Sequence, residues 1–192
     1  MFKGQIKQAI LIFIVLSIIT GIIYPLFITG IAQVFFRSQA NGSLIYRNGK
    51  PVGSILIGQA FNEPKYFWGR ISATSSVFFN AASSSGSNLG PSNPALVEAV
   101  KTRIKALRVA DPDNTSPIPV DLVTSSASGL DPHISLGAAY YQAARIARLR
   151  GLSQDSIKIL ITKHTSGRLF GFIGEPVVNV LELNLALDAY KK

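Results

Sequence analysis

Cysteine is absent from the 192 residues, which excludes disulfides, thiolate metal sites and a cysteine nucleophile. Histidine occurs twice, at His133 and His164. No His-Glu-x-x-His or EF-hand spacing accompanies either one, so no metal centre is expected. Gly49-Lys50 is followed by Pro51 rather than Ser or Thr, so the phosphate-cradling loop is missing. The glycine spacing of a dinucleotide site and the Gly-x-Ser-x-Gly elbow of hydrolases are missing too. Charge is scarce, at 15% of residues against about 25% in soluble domains. The scarcity is local: no charge lies between Lys7 and Arg37, and no acidic residue precedes Glu63.

That uncharged stretch is what the chain has instead. Ala9 to Ile23 is almost unbroken Ala, Ile, Leu, Val and Phe. A spanning helix needs about 20 apolar residues, and only helices or closed barrels satisfy their backbone in lipid. The expected organisation is residues 1–7 in the cytosol, 8–36 as a transmembrane helix with an outward extension, and 37–192 as an extracytoplasmic domain. Lys3 and Lys7 put the N-terminus inside by the positive-inside rule. Gly30-Ile31-Ala32 also resembles a signal-peptide cleavage site, but the apolar run exceeds the roughly 7–15 residues of a signal core. Pro25 should kink the helix. Ser17 and Gly21 form a small-xxx-small pair that lets a partner helix approach closely.

Beyond the anchor, seventeen basic residues face ten acidic ones, a net +7. The basic residues are scattered without an aromatic-interleaved stripe, which excludes nucleic acid as a partner and leaves lipid or an acidic surface. Leu44-Ile45-Tyr46-Arg47, Asn48-Gly49 and Val52 to Ile57 spell a hairpin. Phe61 to Trp68 should pack on the sheet as a short strand or loop. Ser72 to Asn93 is Ser, Ala, Asn and Gly in loop proportions, and a loop that long in a compact domain is usually functional or mobile.

Asn93 caps and Pro94 opens a helix with Leu96, Val97, Val100, Ile104 and Leu107 on its apolar face and Lys101, Arg103, Lys105 and Arg108 in solvent. Val120 to Thr124 reads as a strand. Asp131 and Pro132 read as the start of a helix ending at Gly151. Arg145, Arg148 and Arg150 on it form a solvated basic face or a contact to carboxylates or lipid phosphate. Ser153 caps a helix to about His164, and Val177 to Val180 is a strand before a last helix carrying Leu183, Leu185 and Leu187. The expected fold class is α+β: one transmembrane helix, then a single mixed domain around a small sheet.

Ser128, Asp131 and His133 contain the residue types of a hydrolase triad, but triads need spatial rather than sequential adjacency. A membrane-anchored extracytoplasmic hydrolase or a binding module is therefore the alternative reading.

Seven segments in order resemble one family: Tyr24-Pro25-Leu26; Gln39-Ala40-Asn41-Gly42-Ser43; Leu56-Ile57-Gly58-Gln59; Tyr66-Phe67; Gly86-Ser87-Asn88-Leu89-Gly90-Pro91-Ser92-Asn93-Pro94; Ser128-Gly129-Leu130-Asp131-Pro132-His133-Ile134-Ser135; and Val178-Asn179-Val180-Leu181 with Leu183-Asn184. The chain looks like the C chain of the bacterial Kdp potassium-transporting ATPases, the small single-span subunit. The resemblance implies a non-catalytic accessory subunit in the bacterial inner membrane. Its partners would be a P-type ATP-hydrolysing subunit, a channel-like potassium-binding subunit and a small hydrophobic peptide. ATP and potassium would act at the level of the complex, with no cofactor held by this chain. Supporting assembly and raising the pump's ATP affinity, as a catalytic chaperone, are the roles implied. No aspartate is followed by lysine, so the phosphorylated element of P-type pumps must lie on another chain. The candidate contact surface is Gly86, Ser87, Asn88, Asn93, Ser128, Gly129, Asp131 and His133, with Ser17, Gly21 and Pro25 as the candidate partner-helix face.

Overall fold

A computed structural model describes residues 2–190. It divides into two units at Leu44 and Ile45. The first is helical. Helix α1, Phe2–Ile18, runs into a π-helical turn, Ile19–Ile23, and then into α2, Tyr24–Phe35. The stretch Gly4–Phe35 is 32 residues long and apolar enough to cross a membrane; at about 1.5 Å per residue it outreaches a hydrocarbon core of about 30 Å. Pro25 explains the π turn. It has no N–H for the Gly21 carbonyl and its ring would collide with that carbonyl, so the turn before it widens. A short helix α3, Arg37–Ala40, follows.

The second unit opens with the hairpin of β1, Leu44–Arg47, and β2, Lys50–Ser54. Asn48 (φ 52°) and Gly49 (φ 74°) both take the left-handed conformation that the tight hairpin turn demands. Helices α4 (Pro94–Ala110), α5 (Leu136–Arg150), α6 (Gln154–Lys163) and α7 (Val180–Ala189) supply most of this unit's regular secondary structure. Strands β3 (His133–Ser135), β4 (Thr165–Ser166) and β5 (Val177–Asn179) form an antiparallel sheet in the order β3-β5-β4. Val178 sits at its centre, opposite Ile134 and Thr165. The core joins Phe67, Leu122, Ile134, Ile146, Ile157, Ile161, Val178, Leu183 and Leu187. Four helices start on side-chain caps, at Asn93, Ser135, Ser153 and Asn179, and Gly151 (φ 63°) ends α5. The fold is α+β, as the sequence suggests.

Two local expectations are corrected. Asp131 does not cap α5. Residues 133–135 pair with β5 first, and Ser135 takes the cap from Ala138 N at 3.1 Å. Val120–Leu122 is a 3-10 turn rather than a strand. Phe61 to Trp68 is a loop whose backbone is paired by side chains: Asn184 brackets the N–H and C=O of Phe67 at 2.9 and 3.0 Å, and Gln142 those of Trp68 at 2.8 and 3.1 Å. Two buried amides thus do what a neighbouring strand would do.

Candidate functional site

The small-residue loop is fastened to the turn before β3. Ser72 Oγ donates to the Gly129 carbonyl at 2.8 Å and accepts from Phe79 N at 2.9 Å. Thr74 Oγ1 donates to the Val77 carbonyl at 2.8 Å and accepts from Asn80 N at 3.2 Å. Ser84 Oγ reaches the Ser128 carbonyl at 2.9 Å, and Gly58 N the Leu130 carbonyl at 2.8 Å. At Gly86 and Gly129 close approach requires glycine. A Cβ on Gly86 would lie 2.7 Å from the Ala127 oxygen. On Gly129, at φ 68°, a Cβ would lie 2.5 Å from the Ser85 oxygen and 2.7 Å from Thr74 Cγ2. A long polar loop is held this way without an apolar core of its own.

At the end of the turn, Asp131 organises charge. Its carboxylate accepts from His133 N at 2.9 Å and Arg70 Nη1 at 3.1 Å, and His133 Nδ1 lies 3.4 Å away. Burial by itself raises the Asp131 carboxyl, but the bonds from His133 and the Arg70 guanidinium outweigh it and hold the group below its ordinary range. Arg70 Nη2 also donates to the Ser125 carbonyl at 3.0 Å. Ser128 Oγ accepts from Leu130 N at 3.1 Å, and among the described residues no hydrogen bond joins it to His133. Ser128 and Asp131 close turns on the backbone N–H groups of Leu130 and His133, and Asp131 pairs with Arg70; they are not a nucleophile, base and orienter in series with His133.

Arg145 of α5 is not part of a solvated face. Arg145 is only 2% exposed. It donates to the Pro64 carbonyl, to the Tyr66 carbonyl at 3.2 Å and to Gln142 Oε1 at 2.6 Å. Its guanidinium stands 5.0 Å from the Trp68 ring, and Arg103 of α4 stands at 5.0 Å from the same ring. Burial lowers Arg145 to about 10. Arg103, expected in solvent, donates to the carbonyls of Leu122 and Gly69 at 3.0 and 2.9 Å. Arg148 pairs with Asp111 at 2.8 Å and Arg150 with Asp188 at 2.8 Å, so the carboxylates they contact belong to this chain.

The remaining predicted residues are dispersed. Asn93 serves as the α4 cap, accepting from Ala95 N at 2.9 Å. Ser87 and Asn88 are exposed, as are Ser17, Gly21 and Pro25 on the apolar helix. On α4, Val97 is 45% and Ile104 37% exposed, and the helix flanks an open, largely apolar pocket of about 610 Å³ lined in part by Phe61, Ile71, Phe78 and Phe79. Sequence reasoning missed Ser72, Thr74, Arg70 and Trp68. Their only local sign is the Ser-x-Thr step that opens the small-residue run.

Residues 6–189 match the family model described as "KdpC: K+-transporting ATPase, c chain". The chain is 61% identical over 188 residues to the potassium-transporting ATPase KdpC subunit of Ralstonia nicotianae, covering 98% of this chain and 92% of that one. It is 60% identical over 188 residues to that of Methylococcus capsulatus, covering 98% and 99%, and 59% identical over 185 residues to that of Herpetosiphon aurantiacus, covering 96% of each. The chain therefore belongs to the KdpC family, the c chain of the K+-transporting ATPase.

Proposed function

We propose that the chain is the non-catalytic accessory subunit of an ATP-driven potassium importer in the bacterial inner membrane, with its N-terminus in the cytosol and its domain outside. The observation that carries this reading is the family match along residues 6–189 on a chain with one N-terminal helix apolar enough to span. The partners are the P-type ATP-hydrolysing subunit, the channel-like potassium-binding subunit and the small hydrophobic peptide. The apolar helix meets a partner helix at the face of Ser17, Gly21 and Pro25. The domain meets the channel-like subunit near Ser87, Asn88, Ser128 and His133, the part of the candidate surface that Gly86, Gly129 and Asn93 support from within.

An outside domain has no access to cytosolic nucleotide. The effect on ATP affinity is then a coupling free energy transmitted through the helix, as a bias between two states of the pump, rather than a shared nucleotide site. ATP and potassium stay ligands of the complex. Affinity isolation of the chain from native membranes tests this reading. The other subunits should co-purify in fixed ratio, and recovery of the chain alone would refute it.

A further inference from the structure

Four exposed large apolar side chains sit together on one loop between β4 and β5, among them Phe170, the most exposed large apolar side chain among the described residues. Leu169 is 60%, Phe170 80%, Phe172 73% and Ile173 49% exposed. Contiguous apolar surface of this kind, rimmed by polar residues, marks a protein or membrane contact.

The backbone of the loop is closed on itself. Leu169 N reaches the Ile173 carbonyl at 2.9 Å and Ile173 N the Leu169 carbonyl at 3.0 Å. Gly171 N reaches the Arg168 carbonyl at 3.1 Å and Phe172 N the Leu169 carbonyl at 3.3 Å. Four donors of the tip are thus satisfied without water, which lowers the cost of moving this backbone toward a low-dielectric medium. Below the tip, Arg168 Nη2 contacts both carboxylate oxygens of Glu175, at 3.0 and 2.8 Å. This charged collar sets a depth beyond which the hairpin would have to desolvate an ion pair.

Phe170 adds a conformational argument. It sits at φ 52° beside Gly171 at φ 82°. A bulky aromatic in the left-handed region is an outlier, because glycine or asparagine fits such a turn without strain. Nothing in the fold rewards the ring, which projects into solvent. Strain retained at a position with no internal contact points to an external one.

We infer that the tip Leu169–Ile173 is a lipid-contacting finger that seats its Leu, Phe and Ile side chains in the headgroup–acyl boundary of a bilayer. Two features favour lipid over a protein groove. The domain beyond the apolar helix carries +7, which suits the anionic surface of a bacterial membrane. The same chain also carries a helix apolar enough to cross a membrane, Gly4–Phe35, which on the proposed function tethers the domain at a bilayer.

The test uses the full chain reconstituted in vesicles of phosphatidylcholine and phosphatidylglycerol. With no native cysteine, Phe172→Cys and, as reference, Asn88→Cys each carry one environment-sensitive fluorophore. The label at 172 should shift to the blue, be quenched by spin-labelled lipid and be shielded from aqueous iodide, while the label at 88 behaves oppositely. Equal iodide access at both positions would overturn the inference. So would shielding of position 172 that arises only when the other complex subunits are co-reconstituted, which would make the tip a protein-docking loop. Phe170→Gly separates contact from folding. It should diminish lipid quenching while leaving the unfolding midpoint unchanged or raised, and a lowered midpoint would assign the ring a structural role instead.

Discussion

The turn at Gly129 and the hairpin tip at Gly171 are both tight, glycine-bearing and left-handed, yet they end in opposite states. At Gly129 the close neighbours are Ser85 and Thr74, and the glycine itself is buried against the serine-rich loop. At Gly171 a Cβ would meet nothing within 4 Å, and the neighbours are apolar and exposed. One turn spends its geometry on holding the domain together. The other holds only itself and presents its side chains outward. Position in the fold, not turn chemistry, decides which glycine loop is structural and which faces outward.

Perturbations should break this contrast in a definite order. Gly129→Ala is expected to be the most damaging, because it adds left-handed strain to a collision with the Ser85 oxygen and Thr74; urea unfolding should show a loss of about 3 kcal/mol. Arg145→Lys should follow at about 2 kcal/mol. An ammonium cannot serve the Pro64 and Tyr66 carbonyls and Gln142 together while lying on Trp68, and near-ultraviolet dichroism of the single tryptophan would report the loosened ring.

Asp131→Asn should cost about 1 kcal/mol at neutral pH through the lost Arg70 pair. The carboxyl is held below its ordinary 3.8 in the folded protein. Its contribution is therefore complete above about pH 4 and lost as pH falls through the folded value. The wild type and Asp131→Asn should converge in strongly acidic buffer, as followed by unfolding midpoints across pH. Arg168→Ala at the tip should have the smallest effect, within about 0.5 kcal/mol, since the Arg168–Glu175 pair is exposed.

The same contrast explains what could be read in advance. Elements fixed by a few neighbouring residues were legible. Asn93-Pro94 opens α4, Asn48-Gly49 turns the first hairpin, Ser153 caps α6 and the uncharged run makes the apolar helix. Asp131-Pro132 has the same local grammar as Asn93-Pro94. It misleads because residues 133–135 find a strand partner near position 178, and that tertiary pairing overrides the helix signal. The Arg145 position looked solvated because neighbouring Arg148 and Arg150 are polar. Only the fold brings Trp68, from 77 residues earlier in the chain, beneath it. The glycine and serine segments were legible as a candidate surface, but not the division of labour within it. Gly86 and Gly129 are consumed by close packing and Asn93 by a cap, leaving Ser87, Asn88 and Ser128 at the surface.

The proposed outward placement of the domain underlies the rest of the account and can be tested directly. Ser128 is exposed, and a cysteine there would be the only thiol in the chain. Treating intact cells that carry Ser128→Cys with a membrane-impermeant maleimide should label the protein fully before lysis. Labelling that appears only after the cells are broken open would place the domain in the cytosol and contradict the account.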